Sequence, residues 1–158
     1  MKKKIYNISR GITAGFIAIT VNTLLLKSAD LFHIKAEGGG LLKLLIGGTQ
    51  ELSWLQPLLQ RTWFPLAFHY LTGFFMVGIY VYVSPVFSLP GWVKGSLFSI
   101  FPWILNGVIV LPALNQGILG FNTLSLSGIL YFFLANGIFG LLLGWIYGAR
   151  QKGEDLAG

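Results

Sequence analysis

The chain has 158 residues, 54% of them hydrophobic and only 10% charged, with no cysteine, and its mean hydropathy is +0.72. Soluble domains carry about 25% charged residues, so lipid must cover much of this surface, and the missing cysteines exclude disulfides, thiol catalysis and Cys-ligated metal. The net charge of +6 comes from eleven Lys and Arg scattered at the ends of apolar runs, with no basic stripe carrying interleaved aromatics, which argues against nucleic acid as a partner.

Met1 to Arg10 is basic and polar, and Gly11 to Leu26 is apolar. A cleaved signal peptide shares these features, but no small-x-small cleavage site follows and Lys27 interrupts. The reading is an uncleaved first span over about 10–29, near the lower length limit for about 30 Å of hydrocarbon. Gly11, Ala14, Gly15, Ala18 and Asn22 share one face. Lys27 lies almost opposite, at the end, where a long side chain snorkels to the headgroups as an interfacial anchor.

Residues 30–61 form the one long connection. Gly38-Gly39-Gly40 lacks the Lys-Ser/Thr of a phosphate loop and follows no strand, so it reads as a turn. Leu41 to Ile46 is too short to span. Leu52, Leu55, Leu58 and Leu59 alternate with polar residues at roughly helical spacing, with a kink expected at Pro57. This predicts an interfacial helical loop lying in the membrane surface, with Trp54 and Trp63 as headgroup-level anchors.

The second span is expected over 62–84, with His69, Gly73, Met76 and Tyr80 on one face. Ser84-Pro85 and Leu89-Pro90-Gly91 mark a short turn. The third span, over 92–112, starts at the anchor Trp92, places Gly95, Ser99, Pro102 and Asn106 on one side, and should kink at Pro102. Ala113 to Ser125 is an uncharged loop. The fourth span, over 126–148, carries Gly137, Gly140, Gly144 and Gly148 within roughly an 80° arc. Each interior Gly costs about 1 kcal/mol against Ala in water, whereas in lipid such a groove lets another helix approach closely.

Four spans put both termini on one side. That side would carry Lys2, Lys3, Lys4, Arg10, Lys94, Arg150 and Lys152, against Lys27, Lys35, Lys43 and Arg61 on the other. The excess predicts cytoplasmic termini in an inner membrane. An internal repeat is also suggested: His69-x-x-x-Gly73 with Ile79-Tyr80 lies over Asn136-x-x-x-Gly140 with Ile146-Tyr147, and Gly11-x-x-x-Gly15 over Gly91-x-x-x-Gly95. Two hairpins in the same orientation, related by an axis along the membrane normal, would follow.

No Asp or Glu lies within a span, which argues against ion-coupled transport. The intramembrane polar groups are Asn22, His69, Asn106 and Asn136, one on the small-residue face of each span. Facing lipid, such groups would stay unpaired at a cost of several kcal/mol, so the four should converge inside the bundle. They read either as interhelical glue or as the polar lining of a site for a small neutral ligand. Haem is disfavoured because the second histidine, His33, is outside the spans, and metal lacks enough ligands. The serines have no paired His and acid, and no Gly-x-Ser-x-Gly elbow exists.

The glycine-rich first span, His69-x-x-x-Gly73, Asn106 with Pro112, and Gly140-x-x-x-Gly144-x-x-Tyr147-Gly148 together resemble a loose group of small, uncharacterised bacterial four-span inner-membrane proteins. The resemblance implies a membrane location and no known reaction, so no functional residue is carried over. The expectation is a single all-α membrane domain over 1–158, a four-helix transmembrane bundle without enzymatic activity or cofactor. Its expected role is an accessory or structural subunit of a larger membrane complex, packed against other membrane subunits or itself. A small transporter or channel for a neutral or lipid-like substrate is the alternative, and a haem- or quinone-binding redox protein a third reading.

Overall fold

The structure, a computed structural model, describes residues 2–36 and 40–155. Seven α-helices and no strand occur among them: α1 (Lys2–Ser28), α2 (Gly40–Gly48), α3 (Gln56–Leu59), α4 (Phe64–Val83), α5 (Gly91–Ile104), α6 (Leu111–Ala113) and α7 (Leu126–Asp155). A π-helical segment, Leu105–Val110, joins α5 to α6. Four stretches are long and apolar enough to cross a membrane: Ile8–Phe32, Phe64–Val86, Gly91–Ala113 and Leu126–Gly148. Helices follow because, in hydrocarbon, a chain must satisfy its backbone polar groups internally. The prolines sit where they are tolerated: Pro65 and Pro112 in first turns and Pro90 just before α5. Pro102 is the exception, inside α5.

α1 and α4 form one antiparallel hairpin and α5 and α7 another. In the first, side chains fill glycine gaps. A Cβ on Gly11 would come 2.7 Å from Val81, one on Gly15 2.7 Å from Val77, and one on Gly73 2.7 Å from Ile19. In the second, backbone meets backbone. A Cβ on Gly148 would come 2.9 Å from the Cα of Gly91, and one on Gly144 2.9 Å from the Cα of Gly95, while Gly140 lies against Gly95 and Ser99. The two hairpins therefore pair in the same register. Gly11–Val81 corresponds to Gly91–Gly148, Gly15–Val77 to Gly95–Gly144, and Ile19–Gly73 to Ser99–Gly140. Tyr80 and Tyr147, equivalent in this register, touch each other edge-on at 5.8 Å.

Between hairpins the symmetry breaks. α1 packs along α7, whereas the equivalent pair, α4 and α5, barely meets. The sequence supplies the reason. Ala14 and Ala18, both fully buried in the core with Phe139, Leu143 and Tyr147, let α1 lie close. Their counterparts in the register above are Lys94 and Phe98. Phe98 stacks edge-on against Tyr80 at 5.3 Å, and Lys94 Nζ donates to the Ser84 carbonyl at 2.9 Å. These bulky groups prop α4 off α5.

Several expectations need correction. Gly137 is not a packing residue: a Cβ there would meet nothing within 4 Å. The hairpin register puts it level with Pro102, where the facing helix is interrupted. Pro57 does not kink a helix but starts one, the four-residue α3, because a ring without an N–H fits a first turn. Arg10, read as a topology marker, is buried, close enough to influence Tyr147. Gly38 and Gly39 of the expected turn lie outside the described residues. Trp54, Trp63 and Trp92 are exposed near element ends, and Lys27 is exposed at the end of α1.

Candidate functional site

A cavity of about 420 Å³ lies between the four spans. Asn22 from α1, His69 from α4, Asn106 from the π segment and Asn136 from α7 all line it. At about 1.5 Å rise per residue, the four sit roughly 8–15 Å from the loop-side ends of their helices. The cavity thus occupies the half of the bundle nearest the long connection. The rest of the wall is mainly apolar, with Met76, Phe132 and Phe139 among its members. Its polar groups beyond the four include Thr23 and Thr72, whose hydroxyls donate back to Ile19 at 2.8 Å and Phe68 at 2.9 Å.

Each polar group is placed by a local cause. Asn22 lies one helical turn beyond the Ala18 contact. It is 6% exposed, and its Nδ2 is buried with no hydrogen-bond partner. Asn136 Nδ2 donates to the Phe132 carbonyl at 2.8 Å, which leaves its oxygen to accept. Asn106 depends on Pro102 and the π segment. Proline removes one backbone donor and its ring crowds the preceding turn, and a wider π turn re-aims the residues it contains, a feature frequent at functional sites. Gly107 then seats Leu119, whose Cδ2 would lie 2.5 Å from an added Cβ. Leu119 holds a left-handed φ of 55°, strain that its packing in the small cluster with Leu111, Leu124 and Ile129 offsets.

The cavity is roofed by α2. This largely apolar helix, in the connection expected to lie in the membrane surface, places Gly40, Leu41 and Leu42 in the cavity lining. A Cβ on Gly40, whose φ is +38°, would come 2.7 Å from Asn106 Oδ1, so only glycine allows this seat. Earlier in the connection the Lys35 carbonyl packs against Gly128 of α7. The adjoining end of α1 is fixed as well. The Tyr131 hydroxyl donates to the Leu25 carbonyl at 2.9 Å and shares a hydrogen bond with Ser28 Oγ at 2.8 Å. On the other flank the hydroxyls of Thr20 and Tyr70 hydrogen-bond at 2.9 Å, joining α1 to α4. The wall between α4 and α5 has no such tie on the cavity side among the described residues.

Among the described residues, Lys27 is the one ionic group on the wall, and no group of three or more His, Asp or Glu could hold a metal. His33 is exposed on the connection and does not line the cavity. Sequence reasoning singled out the four polar wall residues. It missed the roof, for which the largely apolar stretch Leu41–Ile46 after a glycine run was the available signal, and the π turn, of which Pro102 signalled only a break. The fold and site define a four-span membrane protein with a roofed, mainly apolar cavity inside the bundle, lined by one polar side chain from each span. No family profile, curated protein or solved structure matches the chain.

Proposed function

We propose that this protein binds a small, neutral, lipid-like ligand within its own bundle and carries or presents it in the membrane. The observation that carries this reading is the convergence of Asn22, His69, Asn106 and Asn136, one per span, on one cavity of about 420 Å³. That volume lies in the range of small-molecule sites, about 300–1,000 Å³. Amides serving as interhelical glue alone would bond one another and leave no space between them. No catalytic step is assigned to the site. The excess of Lys and Arg on the side of the termini supports an orientation in a bacterial inner membrane with both termini in the cytoplasm.

The test is lipid retention. The protein purified in mild detergent should hold a neutral lipid that native mass spectrometry detects, and His69→Trp, which fills the cavity, should release it. Unchanged retention in that variant would count against the reading. An accessory-subunit role has its own support in α4, whose apolar span is only 17% buried and whose exposed Leu71, Phe75 and Tyr82 flank Gly78, with open space around it. Such a role predicts co-purification with other membrane polypeptides at fixed stoichiometry.

A further inference from the structure

A second pocket, of about 250 Å³, lies at the other end of the bundle, where the turn after α4 meets the start of α5. This is the end that carries the termini. Phe87, Leu89, Leu97 and Phe98 supply apolar wall, beside Ser84 and Lys94. Ser84 caps the end of α4 and Lys94 lies in the first turn of α5. Leu97 and Phe98 sit about 5 Å deeper, one turn further along α5. The pocket is thus charged at the membrane surface and apolar below it. Phe87 and Leu97 are 51% and 54% exposed, so this side of the bundle offers the groove to lipid. Lys94 is its cation, and it is held in place. Its Nζ donates to the Ser84 carbonyl at 2.9 Å, and the Ser84 side chain hydrogen-bonds Tyr147. A lysine that only marks topology extends toward water, whereas this one is drawn back onto the end of α4. The bond caps that helix, but an ammonium has three N–H donors and the cap takes one. Among the described side chains the acids are Asp30 and Glu51, both on the connection at the opposite end. Arg10, buried and near enough to act on Tyr147, is a second cation at the end where Lys94 lies.

We propose that this pocket seats an anionic phospholipid of the surrounding bilayer. The lipid phosphate accepts from the Lys94 N–H groups that the cap leaves over, and the first part of one acyl chain lies against Phe87, Leu97 and Phe98. The volume is below the about 300–1,000 Å³ of sites that enclose a whole small molecule. It suits a segment of chain, with the remainder of the lipid left in the bilayer. Basic pockets between spans on the cytoplasmic side bind such headgroups. A free phosphate would gain nothing from the apolar wall, and a zwitterionic headgroup would bring its own cation toward Lys94. The site is separate from the cavity between the four spans and does not depend on what that cavity binds.

Photo-crosslinking of the full chain in lipid nanodiscs, with the labelled residues mapped by mass spectrometry, tests the assignment. Phosphatidylglycerol and phosphatidylcholine probes carry the same diazirine-bearing acyl chain and differ only at the head. The phosphatidylglycerol probe should label Phe87 and Leu97 about fivefold more than the phosphatidylcholine probe, the effect of one lysine on an anionic headgroup. The two should label Leu134 and Leu141, exposed on α7, to the same extent. Lys94→Gln should abolish the preference at Phe87 and Leu97, and Lys94→Arg, which keeps the charge, should retain it. Unchanged labelling of Leu134 and Leu141 in both variants reports an intact bundle. Equal labelling of Phe87 and Leu97 by the two probes in the unmodified chain overturns the proposal, and that comparison needs no variant to fold. A preference that survives Lys94→Gln overturns it too. Glycerol 3-phosphate in large excess should leave the labelling unchanged, and displacement of the phosphatidylglycerol probe would assign the pocket to a soluble phosphate and overturn the lipid.

Discussion

Asn136 and Gly137 are neighbours with opposite fates. Asn136 was legible because an amide in an apolar helix has nowhere to go but inward. Gly137 was misread because it shares the arc of Gly140 and Gly144, and an arc on one helix does not say where its partner ends. The difference gives a paired prediction. Gly137→Ala should stabilise the protein by about 1 kcal/mol, the helix-propensity gain with no clash to oppose it. Gly144→Ala should destabilise by several-fold more, since its methyl would run into the backbone of Gly91 and Gly95. Thermal melts in detergent measure both, and Gly144→Leu should be worse still, far beyond Leu142→Ala. Comparable small effects at 137 and 144 would remove the close backbone contact from the account.

The third span shows what an element conceals. Pro102 announces a break, and Asn106 announces a polar position, but no pattern in the residues between them says that the chain continues as a π turn. A tertiary contact accompanies it, with Leu119 folded back onto Gly107. The long connection was half legible for a similar reason. Its apolar stretch was recognised as too short to span, while its seat over the cavity depends on Gly40 meeting Asn106, a contact between positions far apart in sequence. Phe98 governs the spacing of the second and third spans, so Phe98→Ala should let them approach. The chain has no native cysteine, so spin labels at Leu66 and Leu105, on opposite walls, can report it. A shorter distance in the variant is expected, and an unchanged one would mean that Phe98 is not the prop.

At the scale of the whole molecule, the four spans were read directly from hydropathy and length, and the two hairpins from repeated glycine positions. The open side was not, although its cause is written in four residues: Ala14 and Ala18 against Lys94 and Phe98. Substituting across the register makes the point testable. Ala18→Phe places at the closed seam the residue that holds the other one open. It should cost about 1–3 kcal/mol or more through overpacking of a fully buried position and pry α1 from α7. The readout is a lower midpoint in denaturant, and a midpoint that does not move would show that side-chain bulk at this register does not set the spacing.

The contrast between the two hairpins bears on how this protein can breathe. Where Gly91 and Gly95 press on Gly140, Gly144 and Gly148, there are no rotatable groups to yield, and any sliding would drive one main chain into another. Where Gly11, Gly15 and Gly73 receive Val81, Val77 and Ile19, the contact is made by branched side chains that can change rotamer. The α5–α7 half is then an anvil, and the α1–α4 half is the part with give, so an entering tail would be admitted by α4 swinging on α1 against a stationary partner.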